Sequence, residues 1–458
     1  MILSKFFTGP IGMLTSTFLL ACCILGSQAQ VASEGTIDLT AFNQPIAGWQ
    51  ALGDVAVPWT NQRAMDGSPG EGLWAHIPKR KNKADDLITT SAYGDIELEF
   101  DYLLASGSRA TVYLHDAYPM VLADDGSGVS PHVESNGGIP GYAPRQQVSR
   151  APGLWQHLKV AFKAPRFDNA GTKIAPARLL RAELNGIVIH EDIPLQPLPG
   201  RAEKSLAPLR IAVANGPIAF RNAKITPLSE KSAQPNWNNP DPIWVQAQVN
   251  TTLRSFMDIP GGIRVVHAIS VGHPQRVHYT YDLDRGNLAQ AWRGGFLDAT
   301  PMWHERGNGT SRILGSPIYF GKPSLAIAKL TAPEATWPQD TAGTGFRPKG
   351  YTMDSNDLPT FRYQLYGTQV NDAIRPLPTG NGFSRTVTIT GAPDGLYFQL
   401  AAAPSIVDQG GGVYLIGDKA WYVKLEDSGK EKPFIRNSGE SKELLVPVHS
   451  TLRYSIIF

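Results

Sequence analysis

The sequence contains very little cysteine. Cys22 and Cys23 are the only two thiols among 458 residues. Both lie in an apolar N-terminal stretch that we expect to be removed, so a chain cut after Ala29 would have none. For that chain, disulfides, zinc–thiolate sites, cysteine nucleophiles and thioether-bound haem are excluded.

Neither sign of charge is in excess. There are 42 Lys and Arg residues against 40 Asp and Glu, a formal net charge of +2. No basic stripe attracts nucleic acid, so no nucleic-acid partner is expected. After the first thirty residues no second long apolar run occurs, so we expect no membrane span.

Several sequence signatures are also missing. The chain has no phosphate-binding glycine loop, no Gly-x-Ser-x-Gly elbow, no haem motif and no calcium loop of the EF-hand type. It has no repeat of 20 to 50 residues and no long segment with a period of 3.6, which argues against solenoids, propellers and helical folds.

The N-terminus is typical of an export signal. "MILSKFFTGPIGMLTSTFLLACCILGSQAQ" has Lys5 as its only charge, an apolar run and small residues before Ala29. We expect cleavage after Ala29 and a secreted, periplasmic or cell-surface bacterial location. The alternative is a lipoprotein acylated on Cys22. We favour it less because the apolar run continues beyond this residue.

The chain is rich in residues that favour turns. There are 45 Gly and 36 Pro, and Asn-Gly or Asp-Gly pairs separate short alternating runs. "DIELEFDYL" places Ile96, Leu98 and Phe100 on one face, and "RAELNGIVIHEDIPL" predicts a hairpin around Asn185-Gly186. These patterns predict an all-β protein built as sandwiches or barrels, with a second β-sandwich domain after the first.

The domain boundaries follow from composition. We assign residues 1–29 to the signal, 30–228 to the first domain, 229–242 to a linker and 243–458 to the second domain. The linker "LSEKSAQPNWNNPDP" is polar, rich in proline and asparagine, and aperiodic.

Three blocks of the first half form a recognisable series: "LITTSAYGDIELEFDYLLASGS", "VSRAPGLWQHLKVAFKAPRFDNAGTKIAPARLLRAELNGIVIHEDIPL" and "APLRIAVANGPIAFRNAKITPL". Together they resemble the 3-keto-disaccharide hydrolase family over about Thr36 to Leu228. The resemblance implies a concanavalin-like jelly roll. It also implies attack on sugars oxidised at C3: removal of the C2 proton, elimination at C1, then addition of water.

The chain departs from the family pattern at several polar positions. Ser108, Arg109 and Ala110 stand where the family has the Asn-Ser-Gly of its Gly-Asn-Ser-Gly motif, and His115 stands where it has Arg. Pro119 and Val121 stand at the places of the family's Glu and Gln. Before the final strands, Ala214 and Asn215 stand where the family commonly has Asp-His-Gly. Asp124 of the family's Glu-x-Gln-x-x-Asp pattern is kept.

His115 and Asp124 are therefore the predicted proton-transfer residues. A histidine can act as a base near neutral pH. We expect His115 to share a strand face with Tyr113, which would stack on a sugar. The other expected substrate contacts are Trp155, Arg150 and Glu99. No metal ligand and no definite cofactor are assigned, and a divalent metal that polarises the ketone stays open.

The second half has its own candidates in "AWRGGFLDATPMWHERGNG". Asp298, His304, Glu305 and Arg306 offer acid–base groups, and Trp292 and Trp303 offer a sugar platform. A packed irregular loop is the alternative.

Three hypotheses remain. The first is a 3-keto-glycoside hydrolase or lyase, the second a non-catalytic glycan-binding module. The third is an accessory subunit that docks on a sugar dehydrogenase through the second half. The expected ligand in the first two is a carbohydrate.

Overall fold

The structure is a computed structural model that describes residues 35–78, 83–125, 130–228, 241–304 and 309–458. The expected signal, both cysteines and residues 229–240 of the expected linker lie outside these ranges. Every described sheet draws its strands from one side of that linker. The boundaries themselves stay a prediction.

The first half forms two stacked sheets. Its strands are β1 Gly35–Ile37, β2 Gln50–Ala56, β3 Asp66–His76, β4 Leu87–Ile88, β5 Ile96–Leu104, β6 Arg109–Leu114, β7 Tyr118–Ala123, β8 Trp155–Lys163, β9 Arg166–Phe167, β10 Lys173–Ala175, β11 Arg178–Leu184, β12 Ile187–Pro194, β13 Arg210–Asn215 and β14 Ile218–Pro227. Short 3₁₀ turns lie at Leu39–Ala41 and Trp59–Asn61.

The larger sheet has the order β12-β11-β8-β5-β14-β3-β2, with β1 added on β14. The smaller sheet has the order β4-β13-β6-β7, and β9 pairs with β10. The apolar core lies between the two sheets, as in a sandwich whose layers are about 10 Å apart.

Strand β5 shows why these residues form a sheet. Ile96, Leu98 and Phe100 are buried, whereas Glu97 and Glu99 alternate with them and are half-buried. Successive side chains of a strand point to opposite faces, so one face enters the core and the other meets solvent. The predicted alternation is confirmed.

The predicted hairpin is also confirmed. Leu184 pairs with Ile187 across the turn, and both Asn185 and Gly186 have positive φ, 53° and 80°. The Asn185 side chain also serves β8, because its Oδ1 accepts the His157 backbone N–H at 2.9 Å. The hairpin is therefore part of the scaffold that holds β8.

The second half begins with a sheet that closes on itself. Its elements are β15 Trp244–Val245, β16 Thr251–Ile259, β17 Ile263–Gly272, β18 Val277–Asp282, β19 Asn287–Asp298, the helix α1 Thr300–His304 and β20 Thr310–Tyr319. Strand β20 pairs with β19 and, in parallel, with β16. Strands β16 to β20 therefore form a closed ring, called the β16–β20 ring below.

A sandwich of two sheets follows the ring. Its strands are β21 Ile327–Lys329, β22 Arg347–Met353, β23 Pro359–Leu365, β24 Thr368–Pro376, β25 Gly382–Thr390, β26 Leu396–Ala403, β27 Ile406–Gly410, β28 Val413–Ile416, β29 Trp421–Asp427, β30 Phe434–Ser438, β31 Ser441–Pro447 and β32 Thr451–Ile457. The sheet orders are β21-β26-β31-β30 and β22-β23-β24-β25-β32-β29-β28-β27. The all-β class with sandwich domains is confirmed.

The two halves are joined by buried contacts. Ala151 and Leu154 of the first half belong to the main core of the second. The Arg150 guanidinium donates to the carbonyls of Ala420 at 3.1 Å and Pro317 at 3.3 Å. Since Ala151 and Leu154 are buried and the Arg150 bonds are partly buried, the halves form a packed interface.

Candidate functional site

His115 does not lie on the face that the sequence predicted. Strand β6 ends at Leu114, and His115 has a φ of 54° in the following turn. The alternation with Tyr113 stops there, so the expected shared face is wrong. The His115 ring is buried against Phe162, and Nε2 is hydrogen-bonded to the Tyr93 carbonyl. Burial lowers the pKa of His115.

Asp124 lies at the opposite end of the same hairpin. Leu114 pairs with Tyr118 at one end and Arg109 with Ala123 at the other. Five residue steps of about 3.3 Å separate these two pairs by roughly 17 Å, and His115 and Asp124 lie just beyond them at opposite ends. The Asp124 carboxylate accepts the Gly107 backbone N–H at 2.8 Å. One sugar ring cannot contact both side chains.

The centre of the outer face of the smaller sheet carries no acidic or basic side chain among the described residues. Thr111 of β6 pairs with Val121 of β7 and Ala212 of β13. The family resemblance would place a glutamine at Val121 and a glutamate at Pro119. This face therefore lacks the acid–base pair that the resemblance implies there.

Tyr113 lies on that face, at the end near His115. The Arg210 guanidinium carbon lies 3.5 Å from the centre of its ring, so one ring face is covered. Arg210 is itself held by ion pairs to Asp86, at 3.0 Å, and Asp116. Only the other ring face of Tyr113 is available for a ligand.

Trp155 and Arg150 lie at the interface between the halves. Trp155 is buried, its backbone N–H donates to the Lys419 carbonyl, and the Arg221 guanidinium covers its ring at 4.0 Å. The Arg150 guanidinium binds two carbonyls of the second half, and burial lowers its pKa to about 10. The structure gives both residues interdomain contacts.

A group of interacting titratable side chains surrounds Glu99. On the outer face of the larger sheet, Asp101 of β5 lies opposite His157 of β8. The His157 Nδ1 lies 2.8 Å from Asp101 Oδ1, and its Nε2 lies 3.4 Å from Glu99 Oε1. Glu99, Asp101, His157, Arg221 and Asn222 are called the His157 cluster below.

Two side chains from β14 fix Asp101 within the His157 cluster. Asn222 Nδ2 donates to Asp101 Oδ2 at 2.8 Å, and Arg221 Nε lies 3.2 Å from the same oxygen. Asn222 is a non-glycine residue with positive φ, 53°. The register of β14 shifts beside it, and such a shift re-aims side chains at a sheet face.

These contacts move two pKa values in opposite directions. Burial alone would raise the pKa of Asp101. Hydrogen bonds from His157 and Asn222 and the charge of Arg221 outweigh burial and hold this pKa below its usual value. The hydrogen bond to Asp101 raises the pKa of His157 above its usual value. His157 is 39% exposed and Glu99 42%, so the imidazole reaches a ligand on this face.

Sequence reasoning recognised the polar strand face but not the role of His157. The signal was present, because β5 and β8 both alternate and each turns polar residues outward. The pairing of Asp101 with His157 depends on register between strands that are 50 residues apart in the chain. Register of that kind is not readable from the two strands alone.

The candidate residues of the second half differ in their exposure to solvent. Trp292 is fully buried and stacked parallel to Phe296, whereas Trp303 is 71% exposed. Asp298 Oδ1 accepts the Thr300 backbone N–H, next to α1, which ends at His304. Glu305 and Arg306 lie outside the described residues. Trp292 and Trp303 therefore do not form a common platform.

Two features are absent from the described ranges. No group of three or more His, Cys, Asp or Glu side chains there is arranged to hold a metal ion. In the same ranges, no helix has the length and apolar character needed to cross a membrane. The carboxylates of Glu97, Glu99 and Asp101 face cations of the protein instead.

The sheets and the His157 cluster define an all-β protein whose first half is a sandwich with an acid–base group on its larger sheet. Residues 40–226 match the model of the family described as the 3-keto-alpha-glucoside-1,2-lyase-like domain. The family resemblance drawn from the three sequence blocks is thereby confirmed for this part of the chain.

Other comparisons are weaker. A candidate glycosyl hydrolase from Parabacteroides distasonis shares 16% identity, covering 41% of this chain and 82% of that chain with a TM-score of 0.30. A second from the same organism shares 14% identity over 40% and 89%, with a TM-score of 0.26. Likeness at these scores carries no argument. No curated protein matches the chain.

Proposed function

We propose that the first half acts on 3-keto-glycosides, as a lyase whose product is then hydrated. The observation that carries the proposal is the match of residues 40–226 to the 3-keto-alpha-glucoside-1,2-lyase-like family. The His157 cluster supplies the acid–base chemistry that such a reaction needs.

The reaction begins at the carbon next to the ketone. A base takes the C2 proton, and its electron pair is delocalised onto the C3 oxygen. The enolate re-forms the ketone as the C1–O bond breaks, and the leaving group takes a proton. Water then adds across the C1–C2 double bond, with hydroxide at C1 and the proton at C2, so the net result is hydrolysis.

His157 is the proposed base. Asp101 orients its ring through Nδ1, which leaves Nε2 on the side of Glu99. In the neutral state Nε2 accepts the C2 proton, and the resulting imidazolium faces two carboxylates that stabilise it. Glu99 on the same face is the proposed contact for the sugar hydroxyls.

The test is turnover. The protein without residues 1–29 is incubated with 3-keto-trehalose and 3-keto-glucosides, with and without a divalent metal, and release of the leaving group is followed. The proposal predicts turnover that His157→Gln reduces by about 10² to 10⁴, the usual contribution of a positioned base. Lys163→Gln, at the exposed end of the same strand, is the matched control and keeps activity.

A non-catalytic glycan-binding module is the second candidate. The observation that favours it is the lack of an acid–base pair among the described residues at the centre of the smaller sheet, where Pro119 and Val121 stand at the places of the family's polar pair. Binding of 3-keto-glucosides and their parent glycosides by calorimetry, without turnover in any condition, would select this candidate.

The proposed substrate also implies a source. A 3-keto-glycoside arises by oxidation of the C3 hydroxyl, so a sugar dehydrogenase must act before this protein. Docking of such an enzyme on the second half, and export directed by residues 1–29, are retained as proposals. Co-purification with the dehydrogenase activity and N-terminal sequencing of the exported protein test them.

A further inference from the structure

A cavity of about 350 Å³ lies against the β16–β20 ring, at its border with the first half, from which Ser130 contributes to the lining. The side chains of Gln246, Gln248, Arg276, His278 and Phe296 line it, together with the backbone of Gly294 and Gly295. This volume is within the range of small-molecule sites, and such sites are common where domains meet.

The floor of the cavity is built by both halves. The Gly295 backbone N–H donates to Gln146 Oε1 of the first half at 2.7 Å. A Cβ on Gly294, whose φ is +115°, would lie 2.7 Å from the same oxygen. Glycine is therefore required for this close approach, and the floor is held in place by the interface.

The back wall is aromatic and neutral. His278 is buried, its Nε2 lies 3.0 Å from the Gly294 carbonyl, and its Nδ1 accepts the His273 backbone N–H at 3.1 Å. Both ring nitrogens are thus occupied, and the ring packs on Phe296 with centroids 5.1 Å apart. This wall gives shape and apolar contact without a charge.

Arg276 is the one charged side chain among the lining residues. It is exposed, and in the described part of the chain no hydrogen bond or ion pair of its guanidinium is recorded. Its backbone has a φ of 58°. Its carbonyl accepts the Gly294 N–H at 3.0 Å, and its own N–H donates to the His273 carbonyl at 2.9 Å, so its position is tied to the floor and wall of the cavity.

Gln246 and Gln248 provide neutral polar groups. Both are exposed, and no hydrogen bond from either side-chain amide is recorded within the ranges that the structure describes. An amide both donates and accepts, which suits a hydroxyl. An unpaired guanidinium suits a carboxylate or a phosphate, which it binds through two parallel hydrogen bonds.

We infer that this cavity binds an anionic saccharide of one or two rings, with Arg276 on the acidic group and Gln246 and Gln248 on hydroxyls. This site is separate from the His157 cluster, because all these residues belong to the second half. It goes beyond the proposed function and does not depend on it.

Calorimetry on the protein without residues 1–29 tests the inference, with glucuronate, glucose 6-phosphate and glucose as probes. The inference predicts that at least one anionic probe binds about tenfold or more tightly than glucose. The two anions separate a carboxylate from a phosphate preference. Equal affinity for glucose, or no binding of either anion, would overturn it.

Variants locate the site. Arg276→Gln should weaken binding of the anion by about tenfold or more, as expected for one charge-assisted contact. Gln248→Trp, a change at an exposed position, should block the cavity and weaken binding as well. Arg362→Gln, at an exposed arginine of β23, is the matched control. Unchanged binding in Arg276→Gln would refute the site, whereas 3-keto-glucoside turnover should be the same in all three variants.

Discussion

At the scale of single residues, His157 is the side chain on which the account depends. Its ring lies between two carboxylates, and the same hydrogen bond that orients it also raises its pKa. The raised pKa of His157 makes the stability of the fold depend on pH. A histidine whose pKa is raised by folding stabilises the fold below its ordinary pKa of about 6.5, and this contribution is lost as the pH rises through the raised value.

We predict that Asp101→Asn lowers the pKa of His157, because it removes the charge that lies 2.8 Å from Nδ1. The measurement is an NMR titration of the His157 ring in the two proteins. Asp284→Asn, next to the exposed His267, is the control and should leave the His157 titration unchanged. A His157 pKa that is the same in Asp101→Asn would show that the hydrogen bond does not exist in solution.

The residue scale is also where sequence reasoning was weakest. It placed His115 on a strand face because it took the strand one residue too far. A strand end is set by backbone conformation at a turn, here two consecutive residues with φ of 54°. Neither His115 nor Asp116 belongs to an Asn-Gly or Asp-Gly pair, the pairs that predict such turns from sequence.

At the scale of elements, prediction was better, because alternation and turn chemistry are local. Strand β5 and the β11–β12 hairpin follow from their own residues. The closed ring of the second half could not be predicted from local sequence in this way. It depends on the parallel pairing of β16 with β20, whose partners Phe256 and Thr310 are 54 positions apart, and no local pattern specifies that contact.

For the hairpin, we predict that Gly186→Ala destabilises the protein by about 1–2 kcal/mol, the cost of a left-handed conformation for a residue with a Cβ. The Cβ itself meets open space, so backbone conformation alone is tested. Gly309→Ala, where φ is not positive and the nearest contact is 3.4 Å, serves as control in urea unfolding. Equal costs at the two positions would contradict the assignment of the turn.

For the β16–β20 ring, we predict a loss of stability in acid. Burial lowers the pKa of His278 from 6.5 to about 3. The unfolded chain therefore binds a proton below pH 6.5 that the folded chain does not, and stability falls by about 1.4 kcal/mol per pH unit from this group. His278→Gln removes the titration, so its stability should fall less steeply between pH 6.5 and 4. Parallel curves for both proteins would show that His278 is not buried and neutral.

At the scale of the whole molecule, the interface between the halves determines what each half can do. It buries Trp155 and Arg150, which sequence reasoning had assigned to a sugar, and it builds the cavity beside Arg276. Neither outcome is predictable from one half alone, since interface contacts join residues such as Arg150 and Ala420 that are 270 positions apart.

We predict that Arg150→Met destabilises the protein by about 1.5–3 kcal/mol, the value of hydrogen bonds to a charged group. Calorimetry should show lower stability and a wider separation between the transitions of the two halves. Arg362→Met, at an exposed position, should change stability by no more than about 0.5 kcal/mol. If both variants unfold like the parent, the halves are not coupled through Arg150.

The central claim is that His157 removes the C2 proton of a 3-keto-sugar. It is tested most directly by proton exchange with a 3-keto analogue that has no leaving group at C1, such as 3-keto-1,5-anhydroglucitol in D₂O. The account predicts protein-dependent loss of the C2 proton signal, slower by about 10² or more in His157→Gln, while the C4 proton on the other side of the ketone exchanges at the background rate. Exchange at C2 that is equally fast in His157→Gln, or no exchange above background in the parent protein, would contradict it.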